Sequence, residues 1–367
     1  MELKNRWQMI IVGMAIFSMF FGGGNLTYPL WIGATTSSIS FSSLGFLLSG
    51  VLLPFYGIAI SLYFKGDFTN YLSVWGKPLG RLLVFSLLLF WIPFGSGPRC
   101  NQLAYGAMVV QTGWEIPFWV YSALYSVIVY LLTYRKLRVI EILGKIITPL
   151  LIFALFFFIY SIITGEQVQN SSLTTLANTP WNDFLESFFA GYHTMDFIAA
   201  IFFSATVIEL VKEQQKEKFN LSLIGKSCLS AIVLLSVIYI GLIAVGHSYG
   251  DIIATTSRDR LLAVIGQNLL SAHLQPILFL VITLSVLSTS MALSLVFSNY
   301  LQKSLFQEKL AHKWCLLLSV LLSFILSIIG FESLATLITY AMGTLYPLLL
   351  LVTTAALFKS RRLKLPC

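Results

Sequence analysis

The chain has 367 residues, 57% of them apolar and only 10% charged, whereas a soluble domain carries about 25% charged residues. That balance excludes an ordinary soluble protein and reads as an all-α polytopic membrane protein. The net charge of +8 then reports topology and anionic lipid rather than nucleic acid.

The opening MELKNRWQ carries charge without a cleavage-site pattern. The apolar run that follows is too long for a signal peptide and is read as a true span. In chain order the apolar runs predict ten spans, at 8–32, 42–64, 81–110, 116–134, 139–164, 184–211, 223–247, 275–301, 314–331 and 333–358, with the weakest join at Glu332. Together they are expected to form a single transmembrane domain over residues 1–367. With both termini placed in the cytoplasm, the cytoplasmic segments hold 20 of the 23 Lys and Arg residues, the outer segments only Arg258 and Arg260, and Arg99 lies inside a span. This asymmetry obeys the positive-inside rule, and a miscount by one span would scramble it.

The first span, FSMFFGGGNLTYPLWIG over 17–33, is interrupted at its middle by Gly22, Gly23, Gly24 and Asn25, then by Pro29. Each interior glycine costs a helix roughly 1 kcal/mol relative to alanine, and backbone groups freed in hydrocarbon must find partners. A break of this kind suits a site where carbonyls face a cation and half-helix N–H groups face an anion. Close packing of a neighbouring helix on small residues is the other reading, but it does not call for Asn25 or Pro29.

In the third span, Pro93, Gly95, Gly97 and Pro98 surround Arg99. Either the arginine is buried with carbonyls or a carboxylate as partner, or it snorkels to the interface. The sixth span, FFAGYHTMDFIAAIFF, sets Gly191, Tyr192, His193, Thr194 and Asp196 in continuous apolar sequence. An ionised aspartate there costs about 3 kcal/mol, so Asp196 faces a partner or an aqueous cavity unless it lies at the outer interface. If ten spans divide into two halves of five, the first and sixth correspond, and both carry a break in the same place. Matched interrupted spans point to a transporter with an inverted repeat. The eighth span, LSVLSTSMALSL, supplies Ser285, Ser288, Thr289, Ser290 and Ser294, hydroxyls that either complete an oxygen cage for a hard cation or bond back to their own helix. Tyr346 and Pro347 mark a further kink, for which packing is a sufficient reason. Of the outer loops, 165–183 is polar and turn-rich, while 248–273 carries Leu261, Leu262, Val264, Ile265 and Leu269 at the spacing of an amphipathic helix. The four cysteines, Cys100, Cys228, Cys315 and Cys367, show neither a metal pattern nor a disulfide framework. The chain has no HExxH, no GxSxG and no pair of convergent intramembrane aspartates, so it does not read as an enzyme.

These motifs carry a resemblance. GMAIFSMFFGGGNLTYPLWIG, GPRCNQLAYG, IEILGKIITPLLI, GYHTMDFIAAIFF and TLYPLLLL resemble, in order, the first-, third-, fifth-, sixth- and tenth-span patterns of the BrnQ-type branched-chain amino acid transporters. The resemblance spans residues 13–350. It implies the leucine-transporter fold with a 5+5 inverted repeat, and symport of leucine, isoleucine or valine with sodium. It also implies an amino acid held by Gly22, Gly23, Gly24, Asn25, Leu26, Gly191, Tyr192, His193 and Asp196. Sodium would be held by Phe20, Gly23, Ser288, Thr289 and Ser290, and Pro29, Arg99 and Tyr346 would have structural or gating roles. No tightly bound cofactor is implied. The family usually has twelve spans, and the ten read here correspond to its transport core. Gly23, Tyr28, Leu30 and Cys100 depart from its motifs beside the expected pocket. A proton-coupled or uncoupled permease for methionine or alanine stays open at this point, as does the less favoured structural subunit. The sequence sets no oligomeric state.

Overall fold

A computed structural model describes residues 2–114, 116–164, 179–215, 221–248, 275–329 and 331–363. The expected amphipathic segment within 248–273, and most of the polar loop 165–183, lie outside the described residues. The helices, in order, are α1 (Glu2–Phe20), α2 (Gly23–Thr35), α3 (Ile39–Leu47), α4 (Leu53–Tyr63), α5 (Phe68–Tyr71), α6 (Lys77–Trp91), α7 (Gly97–Thr112), α8 (Phe118–Thr133), α9 (Lys136–Ile142), α10 (Thr148–Thr164), α11 (Pro180–Tyr192), α12 (Asp196–Gln215), α13 (Leu221–Ser248), α14 (Gln275–Tyr300), α15 (His312–Ile329) and α16 (Phe331–Leu363). Among the described residues eight helical stretches are long and apolar enough to cross a membrane, and α1 with α2 makes a ninth, bent by 68°. The shorter α8 occupies the fourth apolar run. Several expected boundaries move. The third run is helical from Lys77, the second from Ile39, and the tenth from Phe331, so Glu332 falls inside a first turn.

Four helices contain a widened π turn, at Leu48–Leu52, Ile92–Ser96, Leu143–Ile147 and Leu301–Leu305. Three of these are followed two residues on by a proline, Pro54, Pro98 and Pro149. A proline inside a helix donates no N–H, and its ring collides with the carbonyl four residues back. The wider turn lets the chain keep its course through that collision. At the third π turn the Thr148 hydroxyl also donates to the Leu143 carbonyl at 2.7 Å, supplying a donor where the backbone ladder is disturbed.

Glycines set the closest helix contacts. A Cβ on Gly33 would lie 2.0 Å from the Ile243 carbonyl oxygen, and one on Gly246 would lie 2.1 Å from the Leu30 oxygen. The glycines of α2 and α13 therefore face each other's backbone. On the other side of the molecule, a Cβ on Gly45 would lie 2.3 Å from the Phe184 oxygen, and one on Gly191 would lie 2.3 Å from the Ser49 hydroxyl and 2.9 Å from the Gly50 nitrogen. So the broken first span locks onto the seventh, and the sixth locks onto the second. These two pairings are the ones that exchange when the two five-span halves are interchanged.

Around the breaks the core is aromatic. Phe21 stacks on Tyr239 with centroids 6.1 Å apart, and Phe46 meets the same ring edge-on at 5.2 Å. Asp183, buried at the start of α11, accepts from the Ser37 hydroxyl at 2.6 Å and from the Ser38 N–H at 2.8 Å, which ties the short 36–38 link to the other half of the chain. At the opposite end, Glu209 of α12 pairs with Lys303 at 2.8 Å and Lys136 at 3.6 Å.

Alanine at Gly246 should lower the thermal midpoint of the detergent-purified protein by an amount corresponding to about 1–3 kcal/mol, since its methyl must push backbone rather than a flexible side chain. Gly106→Ala, where a Cβ meets nothing within 4 Å, should leave the midpoint unchanged or raise it slightly; equal melting of the two variants would remove the close-contact explanation.

Candidate transport site

Two interrupted helices meet at the centre of the molecule. In the first, α1 stops at Phe20 and α2 begins at Gly23, with Gly22 extended (φ −103°, ψ −173°) and offering no side-chain cap. The first N–H groups of α2, at Gly23, Gly24 and Asn25, therefore precede the hydrogen-bonded ladder, which starts with Leu26 N–H donating to the Gly22 carbonyl at 3.2 Å. The three glycines differ in purpose. A Cβ on Gly22 would come within 2.8 Å of Thr289 Oγ1, and one on Gly23 within 2.2 Å of the Leu103 side chain, whereas the nearest neighbour of one on Gly24 would be 3.8 Å away. Gly22 permits the eighth span to approach, and Gly24 keeps the cavity open. Pro29, inside α2, cannot donate to the Asn25 carbonyl four residues back.

In the sixth span α11 ends at Tyr192 and α12 begins at Asp196. Between them Met195 adopts the left-handed region at φ 62°, an uncommon conformation for a side chain with a Cβ. The Thr194 hydroxyl donates to the Gly191 carbonyl at 2.7 Å. Asp196 thus stands at a helix start, where the dipole favours a negative group.

Asn25 joins the two breaks. Its side-chain amide donates to the Asp196 carboxylate and, at 2.6 Å, to the Tyr239 hydroxyl on α13. All three residues are buried. Beside this bridge lies a cavity of about 490 Å³ walled by Gly22–Asn25 from the first break, Thr194 and Asp196 from the sixth, Arg99, Cys100 and Leu103 from α7, and the rings of Trp91 and Phe203. Its chemistry suits a zwitterion with an apolar side chain, offering a carboxylate, a guanidinium, free helix N–H groups and aromatic walls.

On one flank of the cavity the eighth span meets the first. The Ser285 hydroxyl donates to the Phe21 carbonyl at 2.9 Å, and the Ser288 hydroxyl donates to the Ser18 carbonyl at 3.0 Å. The Thr289 and Ser18 hydroxyl oxygens are buried without a hydrogen-bond partner among the described residues. This set of neutral oxygens fits a monovalent hard cation.

Not every expected residue comes to the site. Leu26 is fully buried in the core rather than on the cavity wall. Gly191 serves the contact with the second span, and its carbonyl is taken by Thr194. Neither Tyr192 nor His193 lines the cavity; Tyr192 packs against Tyr346 with centroids 4.1 Å apart, and Tyr346 also touches Phe197 at 5.7 Å, which makes it a support for the start of α12. Ser290 turns away, its hydroxyl 2.9 Å from that of Tyr125 on α8, because it lies about 100° around the helix from Thr289. The Phe20 carbonyl accepts from Gly22 N–H at 2.9 Å and keeps its second lone pair for an ion, whereas the Gly23 carbonyl, inside α2, accepts the Thr27 hydroxyl at 3.1 Å on top of its place in the helix ladder. Arg99 does line the cavity, but among the described residues it has neither of its expected partners; its guanidinium sits 5.8 Å from the centre of the Tyr28 ring instead. The sequence reading missed Tyr239, Trp91, Phe203 and Ser18. A tyrosine within the otherwise apolar run VIYIGLIAVG was the one available signal for Tyr239.

Comparison with solved structures places this architecture. The chain superposes on a Na+-coupled sialic acid symporter, solved in a substrate-bound outward-open state, with a TM-score of 0.52 over 96% of this chain and 85% of that one, at 14% identity. The fold is that of the leucine transporter, and the molecule is a multi-pass membrane protein of the carrier class. Residues 5–364 match the family described as branched-chain amino acid transport protein, and the chain belongs to that family; it is a transporter, not an enzyme. Relatives described as putative branched-chain amino acid carrier proteins include one from Staphylococcus epidermidis, 26% identical over 98% of this chain and 84% of the relative. Another, from Staphylococcus saprophyticus, is 26% identical over 94% of this chain and 80% of its own length.

Tyr239→Phe should leave one Asn25 N–H buried without an acceptor, a cost of about 1–3 kcal/mol. A lowered thermal midpoint together with reduced substrate uptake is expected, and a variant matching the parent in both would mean that the bridge does not hold the breaks together.

Proposed function

We propose that the protein imports branched-chain amino acids by symport with sodium across the cell's plasma membrane, with both termini in the cytoplasm. The observation that carries this reading is the single cavity lined by both helix breaks, with the buried hydroxyl face of the eighth span along its flank. In this reading the substrate carboxylate meets the free N–H groups of Gly23 and Gly24 and the charge of Arg99. The ammonium is balanced by Asp196, and the branched side chain lies against Trp91, Leu103 and Phe203. Sodium, as co-substrate, sits among the first-span carbonyls and the hydroxyls of Ser285, Ser288 and Thr289. Its binding favours the arrangement of first and eighth spans that also suits the amino acid, so each ligand raises the other's affinity. Rocking of the paired helices exposes the cavity to either side in turn. Residues 1–367 act in this scheme as one transport domain.

A second reading has its own observation. Asp196 is a buried carboxyl whose hydrogen bond comes from the neutral amide of Asn25, and such a group is equipped to carry a proton in place of sodium.

Counterflow of labelled leucine, isoleucine, valine, methionine and alanine in proteoliposomes, with and without sodium, tests both. We expect sodium-dependent exchange of the branched substrates. Thr289→Ala should raise the sodium concentration for half-maximal uptake by about tenfold, the loss of roughly one ligand's contribution, while Ser290→Ala should leave it near the parent value. Unchanged sodium dependence in Thr289→Ala would remove the proposed cation position.

For the proton reading the measurement is uptake driven by a pH gradient in sodium-free buffer. Under the sodium scheme such uptake is absent in the parent, and Asp196→Asn fails by weakened substrate binding. Gradient-driven uptake that disappears in Asp196→Asn would put the proton reading first.

A further inference from the structure

Between the start of α6 and the end of α14 the surface opens into a groove that shares no lining residue with the transport cavity. Three basic residues line it, Lys77, Arg81 and Lys303, together with the hydroxyl-bearing Thr69, Ser73 and Ser304. No acidic side chain is among the described residues that line it. Beyond Tyr300 and Gln307 the rest of its wall is apolar, and Leu82 and Leu305 stand 60% and 49% exposed, continuous with the outward faces of the third and eighth spans. A pocket that combines three cations with apolar walls is suited to a phosphodiester headgroup with its acyl chains. Neither a soluble anion nor an acidic peptide would use the apolar walls.

We propose that this groove is a binding site for an anionic phospholipid of the cytoplasmic leaflet, with Lys77 and Arg81 holding the phosphate. The leaflet rests on the topology proposed above; the groove's affinity for the lipid does not. Close packing shapes the pocket. A Cβ on Gly80 would lie 2.8 Å from the Ser73 Cα, so the segment carrying Thr69 and Ser73 presses onto the first turn of α6; the Thr69 hydroxyl donates to Asp67 and the Ser73 hydroxyl to the Thr69 carbonyl, which leaves the phosphate to the cations. Lys303 belongs to both this groove and the ion pair with Glu209. A phosphate seated there offers that lysine a second anion and connects the lipid to the end of α12, the helix that begins at Asp196.

The test uses the full-length protein. In neutral detergent, short-chain phosphatidylglycerol should raise the thermal midpoint of the parent, whereas phosphatidylcholine of equal chain length and inorganic phosphate should not. Native mass spectrometry should show phosphatidylglycerol adducts on the parent. A Lys77→Gln/Arg81→Gln double variant should need about tenfold or more lipid for the same adduct fraction, and Lys77→Arg/Arg81→Lys should behave as the parent, which separates loss of charge from loss of fold. Equal lipid binding by the parent and the Gln/Gln variant would overturn the site. An equal thermal shift from inorganic phosphate would overturn the lipid and leave a simple anion site. The topology is read separately: Lys309→Cys, beside the groove and exposed, should react with a membrane-impermeant maleimide only in inside-out vesicles. Labelling from the other side would overturn the assigned leaflet while the binding measurements stand on their own.

Discussion

The hydrogen bonds from Asn25 to Asp196 and Tyr239 are the constraint on which the rest of the molecule turns. In hydrocarbon a broken helix is costly because each freed backbone group loses its partner and water is not there to replace it. This protein breaks two helices at the same depth and spans the gap between them with one amide side chain. Asn25 is suited to that position because its amide carries two N–H groups, so it can serve a carboxylate and a phenol at once. The carboxylate gains a donor and a helix dipole, and the two half-helices are held in register across 171 residues of sequence. Around this bridge the aromatic rings exclude lipid, and the cavity beside it keeps the polar groups that the bridge does not use.

Much of this was legible in the residues. Three adjacent glycines followed by asparagine and proline weaken a continuous helix, and the break falls at Phe21 and Gly22, at the head of that run, with the rest of it opening α2; GYHTMD places a carboxylate where continuous helix would be expected, and the second break lies there. What could not be read was direction. Ser288, Thr289 and Ser290 are adjacent hydroxyls, and which of them faces the first span depends on the rotation of α14, a property of packing rather than of any local preference. Ser290 faces Tyr125 for that reason. Gly191 misled in a similar way. Its place next to a break invited a role in binding, yet what it supplies is the absence of a side chain against the second span. Tyr239 was hidden for the opposite reason, since a tyrosine in an apolar run announces a buried hydroxyl without naming its partner.

The π turns show how the sequence reconciles proline with long helices. Pro54, Pro98 and Pro149 each sit just past a five-residue widened turn, so the chain accommodates the ring without ending the span. The turn before Pro98 has a further effect, because it sets the rotation of α7 and with it the approach of Arg99, Cys100 and Leu103 to the cavity. A proline outside the site thereby helps decide which side chains enter it.

The facing glycines of α2 and α13, and of α3 and α11, leave those helices in contact backbone to backbone. Side chains between two helices act as a soft layer that can change rotamer and absorb small displacements; here that layer is missing. Each pair behaves as a joint without play. A helix in such a pair cannot slide or turn by even an ångström without driving its partner's carbonyls, so force applied to one is delivered whole to the other. Work done by a ligand at either break is therefore not dissipated in local repacking, and reaches the far ends of two spans at once.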